Sequence, residues 1–210
     1  MKMSNDCLPC IVRGSLDAAR LATKNEGLQQ EVIKKILHIL GQVDMEFPPP
    51  LMAREIQRAV RDVTGVEDPY ADLKKKYNDF ALDLLPKLKK RYYPISFEMA
   101  VRLCIAGNII DFGTHTHIEE SHVIDTLEQV IECEINGQVK SLETACSDAE
   151  RILWIADNTG EIVFDTLVLE KLDKTKITYA VRGGFTQNDA TMADAVYTGI
   201  DKLVRVIDTG

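Results

Sequence analysis

Arg151-Ile152-Leu153-Trp154-Ile155-Ala156-Asp157-Asn158-Thr159-Gly160-Glu161 joins a short apolar run to a polar turn, and Ile162-Val163-Phe164-Asp165-Thr166-Leu167-Val168-Leu169 then continues at helical spacing. The apolar run shows no alternation, which predicts a strand covered on both faces. In open α/β sheets, ligands sit outside the carboxyl ends of the strands. At that end this chain offers Asp157, Asn158, Gly160 and Glu161. Asp and Asn supply the oxygens that a hard divalent cation prefers. The N-terminus of the following helix can hold an anion on its N–H groups. A cation beside an anion points to a phosphate ester as ligand. The competing expectation is that Asp157 or Asn158 only caps the helix.

Working outward, the runs Ile177–Val181 and 203–207 repeat the apolar pattern and alternate with helical segments, a βαβαβ signature with parallel strands. The second run ends in Val181-Arg182-Gly183-Gly184-Phe185-Thr186-Gln187-Asn188-Asp189. Arg182 can fork onto phosphate oxygens, Asp189 can complete a metal site, and Asn188 can bond to substrate. The plainer expectation is a glycine loop with Asp189 capping the next helix. Two adjacent strands that both end in ligand-type residues favour a site. A third cluster, Gly107-Asn108-Ile109-Ile110-Asp111-Phe112-Gly113, closes an apolar helix, where Asn108 can equally be a left-handed C-cap.

The first two-thirds of the chain read as helices, over about residues 8–23, 27–40, 52–63, 69–88, 96–107 and 119–131. Phe47-Pro48-Pro49-Pro50 reads as a hard stop, Gly65 as a helix end, Asp68 and Ser96 as caps, and Pro86 as a kink. The predicted architecture is a helical part over residues 1–140 followed by an α/β part over residues 141–210. The chain halts at Asp208-Thr209-Gly210 directly after its third strand, and the expectation is that a C-terminal part is missing. The open last strand edge would invite pairing into a homo-oligomer.

The 210 residues carry a formal net charge of -8 with a pI of about 5.1. No broad basic field gathers phosphates, which argues against nucleic acid or an anionic membrane as partner. The clusters Lys74-Lys75-Lys76 and 87–91 read as solvated helix faces. With no apolar stretch long enough to span a bilayer and no secretory segment at the N-terminus, a cytoplasmic protein is expected. The five cysteines, Cys7, Cys10, Cys104, Cys133 and Cys146, do not form a secreted disulfide framework. Cys7-Leu8-Pro9-Cys10 lacks the preceding strand of a thioredoxin-like motif, so packing is the first expectation for it. His115-Thr116-His117 is a weak zinc signal, and His38 lies in an amphipathic helix.

In this order, Cys7-Leu8-Pro9-Cys10, Gly65 with Asp68-Pro69-Tyr70 and Lys74, Gly107-Asn108 with Asp111, Asp157-Asn158-x-Gly160-Glu161, and Arg182-Gly183 with Asn188-Asp189 resemble the damage-control metal phosphatase family, also called domain of unknown function 89. The short prokaryotic type with the early cysteine pair is the most similar. The resemblance implies multidomain α and α/β architecture: an all-helical subdomain on a three-layer α/β/α domain with a parallel sheet. It implies a metal-dependent phosphatase acting on phosphorylated, often damaged, metabolites. By the same resemblance Asp157, Asn158 and Asp189 correspond to metal ligands for manganese, nickel, cobalt or magnesium. Asn108, Asp111, Glu161, Arg182 and Asn188 match positions lining the substrate pocket. The family continues to a Lys-Gly-x-x-Asn segment that is absent before Gly210.

These readings converge on hydrolysis of a phosphomonoester beside one divalent metal. Asp157 would hold the ion, Glu161 or Asp111 would take a proton from water, and Arg182 with the helix N-terminus at Gly160 would stabilise phosphoryl charge. Two alternatives stand beside it. One is a haloacid-dehalogenase-like phosphatase with Asp157 as nucleophile, in which Thr159 occupies the place of the usual second Asp. The other is a non-catalytic module that binds metal or a phosphometabolite, disfavoured by the lack of a G-x-G-x-x-G or Walker-type loop. No glycine-rich cofactor loop supports methyl transfer.

Overall fold

The structure is a computed structural model that describes residues 2–109 and 120–210. The chain folds into two compact units, Met1–Asp72 with Phe185–Gln187, and Leu73–Gly184 with Asn188–Gly210.

The first unit is built on three helices, α1 (Cys7–Ala22), α2 (Glu26–Leu40) and α3 (Pro49–Thr64), each packed on the other two. Their apolar stripes meet inside: Ile11, Ala18 and Ala19 on α1, Val32 and Ile36 on α2, Met52, Ile56, Ala59 and Val60 on α3. Asn25 caps α2 by accepting from Gly27 and Leu28 N–H groups. The proline run does not only stop a helix, because Pro49 opens α3, where its missing N–H costs nothing. Gly65, at φ 75, ends α3 as expected. Asp68 closes the next turn by accepting from the Tyr70 N–H at 2.9 Å.

In the second unit, α4 (Ala71–Arg91, from Leu73 onward), α5 (Phe97–Ile109), α6 (Glu120–Glu132) and α7 (Val139–Asp148) precede β1 (Ile152–Ile155), α8 (Glu161–Leu169), β2 (Ile177–Val181), α9 (Met192–Thr198) and β3 (Arg205–Asp208). Among the described residues the sheet is β1-β2-β3, all parallel, with Ile152 opposite Ile177 and Tyr179 opposite Val206. The class is therefore the expected α and α/β. The boundary between the units falls after Asp72 rather than near residue 140, because α4 to α7 pack in the same unit as the sheet. Composition marks where strands begin, not which helices cover them.

Helix α8 is apolar nearly all round and is buried on both sides. Val163, Phe164, Leu167 and Val168 pack with Tyr77, Leu84, Leu103 and Leu127 of α4, α5 and α6. Ile162 and Leu169 pack with Ile177, Tyr179, Val181 and Ala195. The α5–α8 crossing is close: a Cβ on Gly107 would lie 2.5 Å from the Phe164 ring.

Strand β1 differs from expectation. Ile152 and Trp154 join the core, but Leu153 and Ile155 are 62% and 73% exposed. Helices cover one face of this strand, and an apolar run reads the same whether one face or both are covered. Helix α5 also runs two residues past Gly107, so Asn108 is helical and not a left-handed cap. Among the described residues no helix is long and apolar enough to cross a membrane.

Candidate functional site

The β1–α8 and β2–α9 junctions are joined through their backbones. The Ala156 N–H donates to Ala180 C=O at 2.9 Å, the last rung of the β1–β2 ladder. Beyond it the chains pair in the opposite sense. Asn158 and Asp189 form an antiparallel bridge, Ala190 N–H donates to Asp157 C=O at 2.8 Å, and Thr159 N–H donates to Asn188 C=O at 2.9 Å. Arg182 N–H donates to Ala190 C=O at 2.9 Å. Asp157, Asn158, Arg182, Asn188 and Asp189, singled out from sequence, thus come together at the carboxyl ends of neighbouring strands.

Neither Asp157 nor Asp189 is consumed by capping. Gly160 (φ 82, ψ -50) is the N-cap of α8 and no side chain caps it. That dihedral pair suits glycine alone. Its N–H donates to Asn78 Oδ1 at 2.8 Å, inside the core, so the expected use of this N–H for an anion does not hold. Helix α9 is capped by a box in which Thr191 and Asp194 satisfy each other, so Asp189 is not its cap.

The side chains form small opposed pairs. Asn108 Nδ2 lies 3.5 Å from Asp157 Oδ2, a long contact that brings the end of α5 to the strand ends. Glu161 Oε2 accepts from Asn158 N at 3.3 Å and Asn158 Nδ2 at 3.2 Å. Arg182 Nε donates to Asp189 Oδ2 at 2.7 Å. Burial holds the Asp189 carboxyl above the usual carboxylate range, the Arg182 guanidinium pulls it down, and the charge of Asp157 pushes it up. Asn188 contributes its carbonyl to the loop pairing. Asp111 and His115-Thr116-His117 lie outside the described residues.

Among the described residues no group of three or more His, Cys, Asp or Glu is arranged to hold a metal ion. The candidate set is two carboxylates and an amide, Asp157, Asp189 and Asn158. Its chemistry fits a hard divalent cation, because the ligand atoms are oxygens and the charge of Asp157 bears on the Asp189 carboxyl in the sense that a cation would relieve.

Sequence reasoning missed the support beneath these loops. Asn78 of α4, which takes the Gly160 N–H, donates through Nδ2 to Asp194 Oδ1 at 3.0 Å. Lys74, one turn earlier, is 3% exposed with Nζ 4.0 Å from Asp194 Oδ2, so it is not part of a solvated lysine face. A signal was present: Lys74 and Asn78 fall in phase with the stripe Tyr77, Ala81, Leu84 and Leu88. The expected packing role for the cysteine pair also fails, since Cys7 is half-buried and Cys10 exposed. A cavity of about 410 Å³ lies at the opposite end of the sheet, between Arg151, Lys176 and Arg205, away from these residues.

Comparison with known proteins gives a consistent result. The family model described as the damage-control phosphatase ARMT1-like domain matches residues 3–210. An uncharacterized protein of Methanocaldococcus jannaschii is 33% identical over 100% of this chain and 72% of its own length. A damage-control phosphatase of Archaeoglobus fulgidus is 32% identical over 97% of this chain and 72% of its own length. The crystal structure of a DUF89 family protein from Pyrococcus horikoshii superposes with a TM-score of 0.89 at 27% identity, covering 100% of this chain and 74% of that one.

Proposed function

Because this chain belongs to the damage-control phosphatase ARMT1-like domain family, we propose that it hydrolyses phosphomonoesters of small metabolites with the help of one divalent cation. The observation that carries this reading is the backbone pairing that sets Asp157 beside Asp189. Two relatives of this chain bear the name damage-control phosphatase, which supports the same chemistry.

In this reading Asp157, Asn158 and Asp189 hold the cation, with manganese, nickel, cobalt and magnesium as candidates. When bound, the ion withdraws charge from a phosphoryl oxygen. Arg182, 54% exposed at its side chain, exchanges Asp189 for phosphate oxygens and stabilises the charge that builds on them. Asn108 and Asn188 bond polar groups of the substrate. Glu161 accepts a proton from the attacking water, and Asp111 is the other candidate for that role. A cytoplasmic setting fits a substrate class of phosphorylated metabolites.

The test is phosphate release from p-nitrophenyl phosphate with manganese chloride, with chelator, and with Asp157→Ala. The expected result is turnover that chelator abolishes and the variant loses. Equal turnover in all three conditions would remove the cation and Asp157 from the reaction. Tight binding of a phosphate ester with no turnover would make the protein a binding module instead.

A further inference from the structure

Asp165 lies on α8, 3% exposed, one turn past Glu161. Three donors from three other elements converge on its carboxylate. Cys104 Sγ of α5 donates to Oδ1 at 2.9 Å. Trp154 Nε1 of β1 and Tyr179 Oη of β2 donate to Oδ2 at 3.1 and 2.5 Å. The Trp154 and Tyr179 rings stack at 6.5 Å between centroids with 14° between planes, which fixes both donors on one oxygen.

Each member lies on an element that leads into or out of a residue of the candidate site. Cys104 precedes Asn108 by one helical turn on α5, Asp165 follows Glu161 by one turn on α8, and Trp154 and Tyr179 lie in β1 and β2, three residues before Asp157 and Arg182 in the loops that leave those strands. The proposed function did not use any of the four. A buried carboxylate among a thiol, a phenol and an indole is a poor way to gain stability, since apolar side chains of similar volume serve as well or better. What it supplies is direction: a bond to each of three elements, in fixed geometry.

We propose that Asp165 is a positioning residue, whose carboxylate locks α5, α8, β1 and β2 in the register that brings Asn108, Glu161, Asp157 and Arg182 to one place. The proposal rests on the phosphatase reading only for what that place does; the locking itself is independent of it. Gly107 serves the same end, since its missing side chain lets α5 approach Phe164 of α8 at the level just below Asn108.

Asp165→Asn in the full chain is the test, read at about pH 8, above the value to which burial raises this carboxyl, where both native oxygens accept and the amide turns one of them into a donor that faces other donors. Two readouts are taken well below the unfolding midpoint of the variant. Amide hydrogen exchange should rise at least tenfold at Thr159, Arg182 and Ala190, the amides that pair the loops, and by clearly less at Leu84 and Leu127 in the core of the same unit. Turnover of p-nitrophenyl phosphate should fall at least tenfold in kcat with KM changed less than threefold. Cys104→Val, which removes one donor, should reproduce a weaker form of both effects, and Cys104→Ser, which keeps a donor, should leave exchange and turnover near those of the unmodified protein; this pair carries the test if Asp165→Asn does not fold. Exchange that rises evenly through the unit, or not at all, would overturn the proposal. Absence of turnover in the unmodified protein, with the loop-specific exchange pattern intact, would sink the phosphatase reading and leave the positioning role standing.

Discussion

Asp157 and Asp189 at the strand ends and Asp165 beneath them are the same chemical group in opposite surroundings. At the rim, Asp189 meets a guanidinium and the charge of an exposed second acid. Beneath, Asp165 meets only neutral donors among its hydrogen bonds, and burial pushes its carboxyl up to about 7. The difference separates two tasks. Charged, partly exposed partners can be exchanged for a ligand, whereas neutral directional partners in a dry core hold a frame.

The sharpest way to break this comparison is Asp157→Ala. It should lower phosphate release at least about a hundredfold, the scale on which a group that stabilises transition-state charge acts. The urea midpoint should barely move, because the side chain is exposed and caps no helix. A large stability loss with modest activity loss would mean that the rim acid is structural.

The second test uses pH. Asp165 titrates near 7 when folded and near 4 when unfolded, so between those values the folded chain holds a proton that the unfolded chain has released. The stability it contributes is therefore complete below about pH 4 and is lost as pH rises through about 7, on the order of 4 kcal/mol in all. The titratable groups that face it are Glu161, Cys104 and Tyr179; the negative charge of Glu161 adds to its upward shift, and burial holds the thiol and phenol protonated. Urea titrations from pH 4.5 to 7.5 should show falling stability (probe range about 4.5–7.5, set by the two values). Asp165→Asn should remove most of that slope, leaving the part owed to Asp189, which shifts in the same direction. An unchanged slope would remove Asp165 from the account of the core.

Much of this contrast was legible in the chain before its structure, and some was not. The strands stood out because runs such as Ile177–Val181 are rich in apolar and β-branched residues, and the rim acids stood out because they follow such runs. Gly65 announced a helix end by the conformation only glycine adopts cheaply. The frame was hidden because its bonds span long separations: Cys104 to Asp165 crosses 61 residues, Asn78 to Gly160 crosses 82 and Asn78 to Asp194 crosses 116. No local pattern marks such partners. Lys74 was lost in a run of three lysines that only helical phase distinguishes, since Lys75 is exposed and pairs with Asp79 at 2.6 Å. The open face at Leu153 and Ile155 was hidden by the same apolar run that announced the strand.

Smaller effects sharpen the picture. Gly107→Ala forces a methyl against Phe164, which is fully buried, and should cost about 2 kcal/mol by urea titration, with some loss of activity as Asn108 shifts. A neutral result would mean that the α5–α8 contact relaxes freely. At the far end of the scale, Lys89→Ala breaks the 2.8 Å pair with Glu170, both more than a third exposed, and should change stability by less than about 0.5 kcal/mol with turnover intact.

The most direct measurement is calorimetric titration of the full chain with manganese chloride, for the unmodified protein, Asp157→Asn and Asp189→Asn. The convergence of the two strand-end acids requires one site in the unmodified protein, weakened at least tenfold in both variants. Equal affinity in all three proteins would contradict it, and the two acids would then be neighbours without a shared ligand.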